Sequence, residues 1–90
     1  MLERWYVFFT GQVQGVGFRY TAIQCSKQHP ITGWIQNLSD GRVQLLAEGK
    51  PREIQIFVDE LCLANHGNVN GLEIQREQPS GEFHDLRVLT

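Results

Sequence analysis

Ninety residues, 41% of them hydrophobic, suit one domain spanning 1–90. A chain of this size buries only about 60% of the surface its unfolded form exposes, which leaves room for a single core. The formal net charge is −2 and the 8 lysines and arginines are scattered, so composition gives no electrostatic reason to bind nucleic acid. No apolar run approaches the roughly 18 residues of a membrane span and none resembles a signal peptide, so a cytoplasmic monomer is the expectation.

The first apolar run, Trp5-Tyr6-Val7-Phe8-Phe9-Thr10, is β-branched and aromatic and closes on Gly11, which predicts a strand. Glycines 11, 15 and 17 then lead into a helix predicted from about Gly17 or Phe18 to His29, because Phe18, Ala22, Cys25 and His29 recur at spacings of three and four. Pro30 ends it, since proline disfavours helical geometry in the residue before it. Ile31 to Asn37 reads as a second strand and Ser39-Asp40-Gly41 as a hairpin turn, with an antiparallel third strand after it. On that strand Val43, Leu45 and Ala47 are expected on the buried face, with Gln44, Leu46 and Glu48 on the other. Pro51 suits the first turn of a second helix, whose apolar face is Ile54, Phe57, Val58 and Leu61 and whose cap is Gly67. A fourth strand near Val69 to Gln78, a Pro79-Ser80-Gly81 turn and a short strand from Phe83 to Leu89 follow. The order β-α-β-β-α-β predicts an α+β sandwich with both helices on one face of a mostly antiparallel sheet.

Cys25 and Cys62 form no C-x-x-C pair and no Cys/His cluster, so neither a metal site nor a redox pair is indicated. Each falls on the apolar side of a predicted helix, where a free cysteine acts as a small hydrophobe. His29, His66 and His84 read as core or surface residues, and Asp40 as a turn residue.

Chemistry concentrates between Gly11 and Arg19. Backbone N–H groups at a helix start have no internal partner, and glycines let them turn inward together. The amides of Gln14, Gly15, Val16, Gly17 and Phe18 could therefore cradle a phosphate or carboxylate. Arg19 in the first helical turn lies at the wrong end of the helix dipole, a cost on the order of a few tenths of a kcal/mol that an anion between the two would remove. A tight strand-to-helix turn also accounts for the glycines, and Arg19 can reach water along its alkyl stem, so the residues alone leave both readings open. The spacing does not give G-x-G-x-x-G, and no Lys-Ser or Lys-Thr pair follows, which excludes a nucleoside triphosphate loop. Asn37, ahead of Ser39-Asp40-Gly41, fits turn chemistry as well as a functional role.

The predicted fold hosts unrelated functions. An RNA-binding domain of this topology needs basic and aromatic residues on its third strand, where this chain has Arg42-Val43-Gln44-Leu45-Leu46-Ala47, and a copper carrier needs two cysteines in its first loop. A regulatory module that keeps the anion loop is the better alternative to an enzyme, and would bind without turnover.

The string Gly-Gln-Val-Gln-Gly-Val-Gly-Phe-Arg at 11–19, followed by Gly33-Trp34-Ile35-Gln36-Asn37 and then Asp40-Gly41-Arg42-Val43, resembles the acylphosphatase family. Two separated motifs stand in the right order and at the right interval, and the similarity runs over nearly the whole chain. The resemblance implies a ferredoxin-like α/β sandwich that hydrolyses the carboxyl–phosphate bond of small-molecule acyl phosphates, with no cofactor and no metal. It further implies that Arg19 holds the phosphoryl group together with the loop amides, and that Asn37 positions the attacking water. The chain departs from the family pattern at Cys25, where alanine is frequent, and in its last strand, which has Leu86 and ends Leu89-Thr90 where aromatic and basic-aromatic residues are frequent.

Overall fold

The computed structural model describes residues 1–65 and 68–89. In chain order its elements are β1 (Glu3–Gly11), α1 (Phe18–Ser26), β2 (Thr32–Asn37), β3 (Val43–Gly49), α2 (Pro51–Ala64), β4 (Val69–Glu77) and β5 (Leu86–Leu89). The strands form one sheet in the order β4-β1-β3-β2-β5, antiparallel throughout except that β5 runs parallel to β2. This is the ferredoxin-like α+β arrangement with a fifth strand added at the β2 edge.

Alternation along the strands builds the core. Trp5, Val7 and Phe9 of β1, Ile35 of β2 and Val43, Leu45 and Ala47 of β3 point to one face. Phe18 and Ala22 of α1 and Ile54, Phe57, Val58 and Leu61 of α2 close over that face in the same cluster. The α2 side chains are the ones its period of three and four singles out, and burying each contributes roughly 1.5–3 kcal/mol. Cys25 and Cys62 are free thiols packed against this cluster, and burial pushes the pKa of each up.

Three sequence expectations are corrected. First, α1 stops at Ser26 rather than reaching His29. The amides of Lys27, Gln28 and His29 turn back on the carbonyls of Gln24, Cys25 and Ser26, and the Ser26 hydroxyl donates to the Ile23 carbonyl at 2.7 Å. Because Pro30 disfavours α geometry at His29, the chain leaves the helix through a tightened three-residue turn. His29 then joins the two helices: Nε2 lies 2.9 Å from Glu60 and Nδ1 3.5 Å from Glu53, and the Glu60 hydrogen bond foremost raises its pKa.

Second, β5 begins at Leu86, not Phe83. Third, β3 is buried on both faces, with Leu46 and Glu48 only 3% and 5% exposed. Both differences have one cause. β4 and β5 lie on opposite edges of the sheet, so the segment between them must cross the face that carries no helix. Residues 78–85 are spent on that crossing. Gly67, expected to cap α2, lies outside the described residues, as do His66 and Thr90; α2 ends at Ala64, with the Asn65 amide donating to the Leu61 carbonyl.

Glu48 anchors the crossing. Its carboxylate accepts hydrogen bonds from the Ser80 amide (2.8 Å), the Ser80 hydroxyl (3.1 Å), the Gly81 amide (3.0 Å) and the Arg4 guanidinium (2.8 Å). Burial alone would raise its pKa, but these donors together outweigh burial and hold it below the ordinary glutamate value. Glu48→Ala is expected to cost roughly 3 kcal/mol in urea unfolding at neutral pH, as for stranding one partner of a buried ion pair. Because the folded pKa is the lower one, this contribution is present above the unfolded value of about 4.3 and is lost as pH falls through the folded value. Parent and variant stabilities should converge in acid; a constant gap down to the acid limit would assign the loss to packing instead.

Candidate active site

The segment between β1 and α1 is tied down on both sides. At its start β1 bulges between Thr10 and Gly11. Gly11 has φ +128°, and a Cβ there would lie 2.1 Å from the Asn68 carbonyl oxygen, so only glycine permits this approach. Gln12 donates its amide to that carbonyl at 2.9 Å, and the Asn65 side chain donates to the Gln12 carbonyl at 3.2 Å. Val13 is buried in the core. On the other side the Gln14 side-chain amide donates to the Leu38 carbonyl at 2.8 Å and the Arg42 carbonyl at 2.9 Å, bridging to both limbs of the β2–β3 hairpin. That hairpin is closed by Leu38 and Gly41, and Asp40 accepts hydrogen bonds from the Arg42 amide and guanidinium.

Between these ties the backbone is uncommitted. Gly15 and Gly17 have φ of +73° and +78°, the left-handed region that side chains disfavour, although neither has an atom within 4 Å of a would-be Cβ. Gly17 caps α1, and its carbonyl accepts the first helical bond, from Thr21. Among the described residues, no acceptor takes an amide proton from Val13 through Tyr20. Unpaired amides turned together at a helix start form an anion-binding concavity. Phe18 contributes its backbone to this loop while its ring is buried edge-on against Phe9, at 5.0 Å between centroids, which fixes the start of the helix to the core.

Arg19 is the second residue of α1, half-buried, with no acidic residue in that first turn. It makes no ion pair or hydrogen bond with any described residue, whereas Arg4, Arg42 and Arg87 each hold a carboxylate. Gly15, Gly17 and Arg19 line a cavity of about 380 Å³ together with Tyr20, Ile23 and Gln24 of α1 and Val88 of β5.

Asn37 ends β2, opposite Val43 on β3. Its Oδ1 is buried without a hydrogen-bond partner, the one such side-chain atom among the described residues. An orphaned buried acceptor costs about 1–3 kcal/mol, and orphans of this kind call for a functional explanation. Asn37 does not line the cavity beside Arg19; it is coupled to the loop through Gln14, which grips the residue directly after it. Thus Gly15, Gly17, Phe18 and Arg19 share one cavity, whose lining does not include Gln14, Val16 or Asn37, and Asn37 ends the strand next to Leu38, which Gln14 grips. Sequence reasoning treated Gln14 only as an amide donor and missed its side-chain clamp, whose partners lie 24 and 28 positions away. It also missed the cavity walls at Tyr20, Ile23 and Val88.

A family profile for acylphosphatase matches residues 5–88. An acylphosphatase of Marinobacter nauticus is 41% identical over 89 residues, covering 97% of this chain and 96% of its own. One of Roseiflexus sp. is 36% identical over 90 residues, covering 98% and 96%. The crystal structure of acylphosphatase from Bacillus subtilis matches with a TM-score of 0.89 at 30% identity, over 100% of each chain.

Proposed function

The chain belongs to the acylphosphatase family, hydrolases of the carboxyl–phosphate bond, and from that premise we propose that the amides of Gln14 to Phe18 and the Arg19 guanidinium bind the phosphoryl group while Asn37 orients the attacking water. The observation that carries this reading is a run of amides and a guanidinium at the start of α1 that have no partner among the described residues. Arg19 offers parallel donors matched to two phosphoryl oxygens, and the amides take the third. Charge that builds on the equatorial oxygens is thereby met by donors already in place.

Water attacks phosphorus as the bond to the acyl oxygen breaks in line. The departing carboxylate keeps the electron pair, and the protons of the water pass to phosphate and solvent. The conjugate acid of the leaving group has a pKa near 4, so no general acid is needed. The Asn37 side-chain carbonyl oxygen can accept a hydrogen bond from the water without placing a negative charge beside the phosphate. In the observed rotamer Oδ1 faces inward, so presenting it to water takes a rotation about χ2, a broad and roughly two-fold torsion in asparagine. Gln14 is a positioning residue in this scheme. Gln14→Leu is expected to lower turnover roughly tenfold or more by loosening the loop from the Asn37 strand, while phosphate still raises Tm. Unchanged turnover would make the clamp purely structural.

The direct test is the assay of purified protein against acetyl phosphate, with an alkyl phosphate monoester as control. Hydrolysis of acetyl phosphate should survive a chelator and stay nearly flat between about pH 5 and 8, because the scheme uses no general acid or base. The monoester should react far more slowly, since its alkoxide must be protonated to leave. A limb near neutrality in protein shown to stay folded would require a titrating base and overturn the mechanism.

A further inference from the structure

His29 leaves α1 by the tightened turn and meets α2 with both ring nitrogens facing carboxylates: Nε2 lies 2.9 Å from Glu60 and Nδ1 3.5 Å from Glu53. Glu53 and Glu60 lie two turns apart on one flank of α2, and the Phe57 ring between them meets the imidazole edge-on at 6.3 Å between centroids. A neutral imidazole carries one N–H, so it serves one of these carboxylates and turns a lone pair toward the other; the imidazolium serves both. We propose that His29 is a pH-operated clamp between the two helices, closed as the imidazolium and opened when the proton leaves for solvent. The clamp does not depend on what the loop at the other end of α1 binds.

The shortness of α1 gives the clamp its leverage. The helix has 9 residues, fewer than the roughly 12–15 at which an isolated helix is marginal, so tertiary contacts must hold it. Its buried residues, Phe18 and Ala22, lie in its first half. Toward its end only the partly buried Ile23 and Cys25 pack against the core, and His29 makes the polar contact with α2. The surroundings of the ring favour the proton: the Glu60 hydrogen bond foremost raises the His29 pKa, burial opposes it, and the charges of Glu60 and Glu53 add to the rise. Cys25, the nearest titratable group on α1, has its thiol pKa pushed up by burial and then by Glu60, so it stays neutral. On its open side the ring shares a cleft with Lys27, His84 and Asp85, none of which forms an ion pair or hydrogen bond with it among the described residues; Asp85 is held by Arg87 at 2.9 Å. Because the folded pKa is the higher one, the stability contributed by the clamp is present in full below about 6.5 and is lost as pH rises through the folded value.

The experiment follows the His29 imidazole by NMR from about pH 5 to 9, and over the same range compares urea unfolding and amide hydrogen exchange in the parent, His29→Gln and Glu60→Gln. In the parent the ring should titrate above about 6.5, and Glu60→Gln, which keeps the ring and removes its nearer carboxylate, should lower that value. The urea midpoint of the parent should fall relative to that of His29→Gln between about pH 6 and 9; the other titrating groups are common to both and cancel. Exchange at the amides of Ile23 to Ser26, corrected for its intrinsic pH dependence, should quicken several-fold more than exchange in β1 and β3, because the opening is local. The open form is a minor population, read by exchange and not by turnover. A parental His29 resonance that titrates at or below about 6.5, or a midpoint difference from His29→Gln that stays constant from about pH 6 to 9, would overturn the clamp. Equal quickening in α1 and in the core strands would make the contact a general stabiliser and overturn it as a clamp on α1. Should His29→Gln fail to fold, the ring titration in the parent and Glu60→Gln decides the matter alone.

Discussion

Arg19→Ala should abolish hydrolysis of acyl phosphates, with kcat/KM falling about a thousandfold or more, the scale seen when an arginine that neutralises a transferring phosphoryl group is removed. Its guanidinium would touch phosphoryl oxygens in ground and transition states alike, so affinity for inorganic phosphate should fall together with rate. In the parent, phosphate at a hundred times its Kd should stabilise the fold by about 2.7 kcal/mol, read as a rise in Tm; in Arg19→Ala most of that rise should vanish. Without phosphate the variant should be at least as stable as the parent, because Arg19 has no partner among the described residues and stands at the positive end of the α1 dipole. Arg19→Lys keeps the charge but not the planar fork, and should lose most of the activity as well. Equal phosphate-induced shifts in parent and Arg19→Ala would place the anion elsewhere.

Asn37→Ala should separate rate from binding. If the Asn37 partner is water, removing it lowers turnover on the order of a hundredfold, the cost of a lost positioning group, while the phosphate-induced rise in Tm persists. Stability should hold or improve slightly, since the substitution deletes a buried acceptor that no described residue satisfies. Asn37→Asp should be no better than alanine, because a carboxylate there repels the phosphoryl dianion. Near-parental turnover in Asn37→Ala would reduce Asn37 to a turn residue and leave the water without a guide.

How much of the site can be read from the chain depends on how local its chemistry is. The loop amides, Gly15, Gly17 and Arg19 are consecutive, so the concavity and the misplaced cation are visible as one string. Asn37 is different. Its neighbourhood reads equally as turn chemistry, and only the resemblance of two separated motifs to one family singles it out. The clamp of Gln14 on Leu38 and Arg42 and the cavity wall at Val88 are not legible at all, since each joins residues far apart in sequence.

The same division runs through the fold. The sequence by itself determined apolar faces in α2 and β3: period three-and-four in the one and period two in the other are properties of neighbouring residues, and the buried set contains both. It also determined where elements break, through Pro30, Gly41 and Pro51. Only the tertiary structure decided what covers each face. Leu46 and Glu48 are buried because the strand order sends residues 78–85 across the sheet, and that route is set by β5 pairing with β2 rather than with its predecessor in the chain. Burial on the second face is thus a consequence of long-range pairing, which no local pattern encodes.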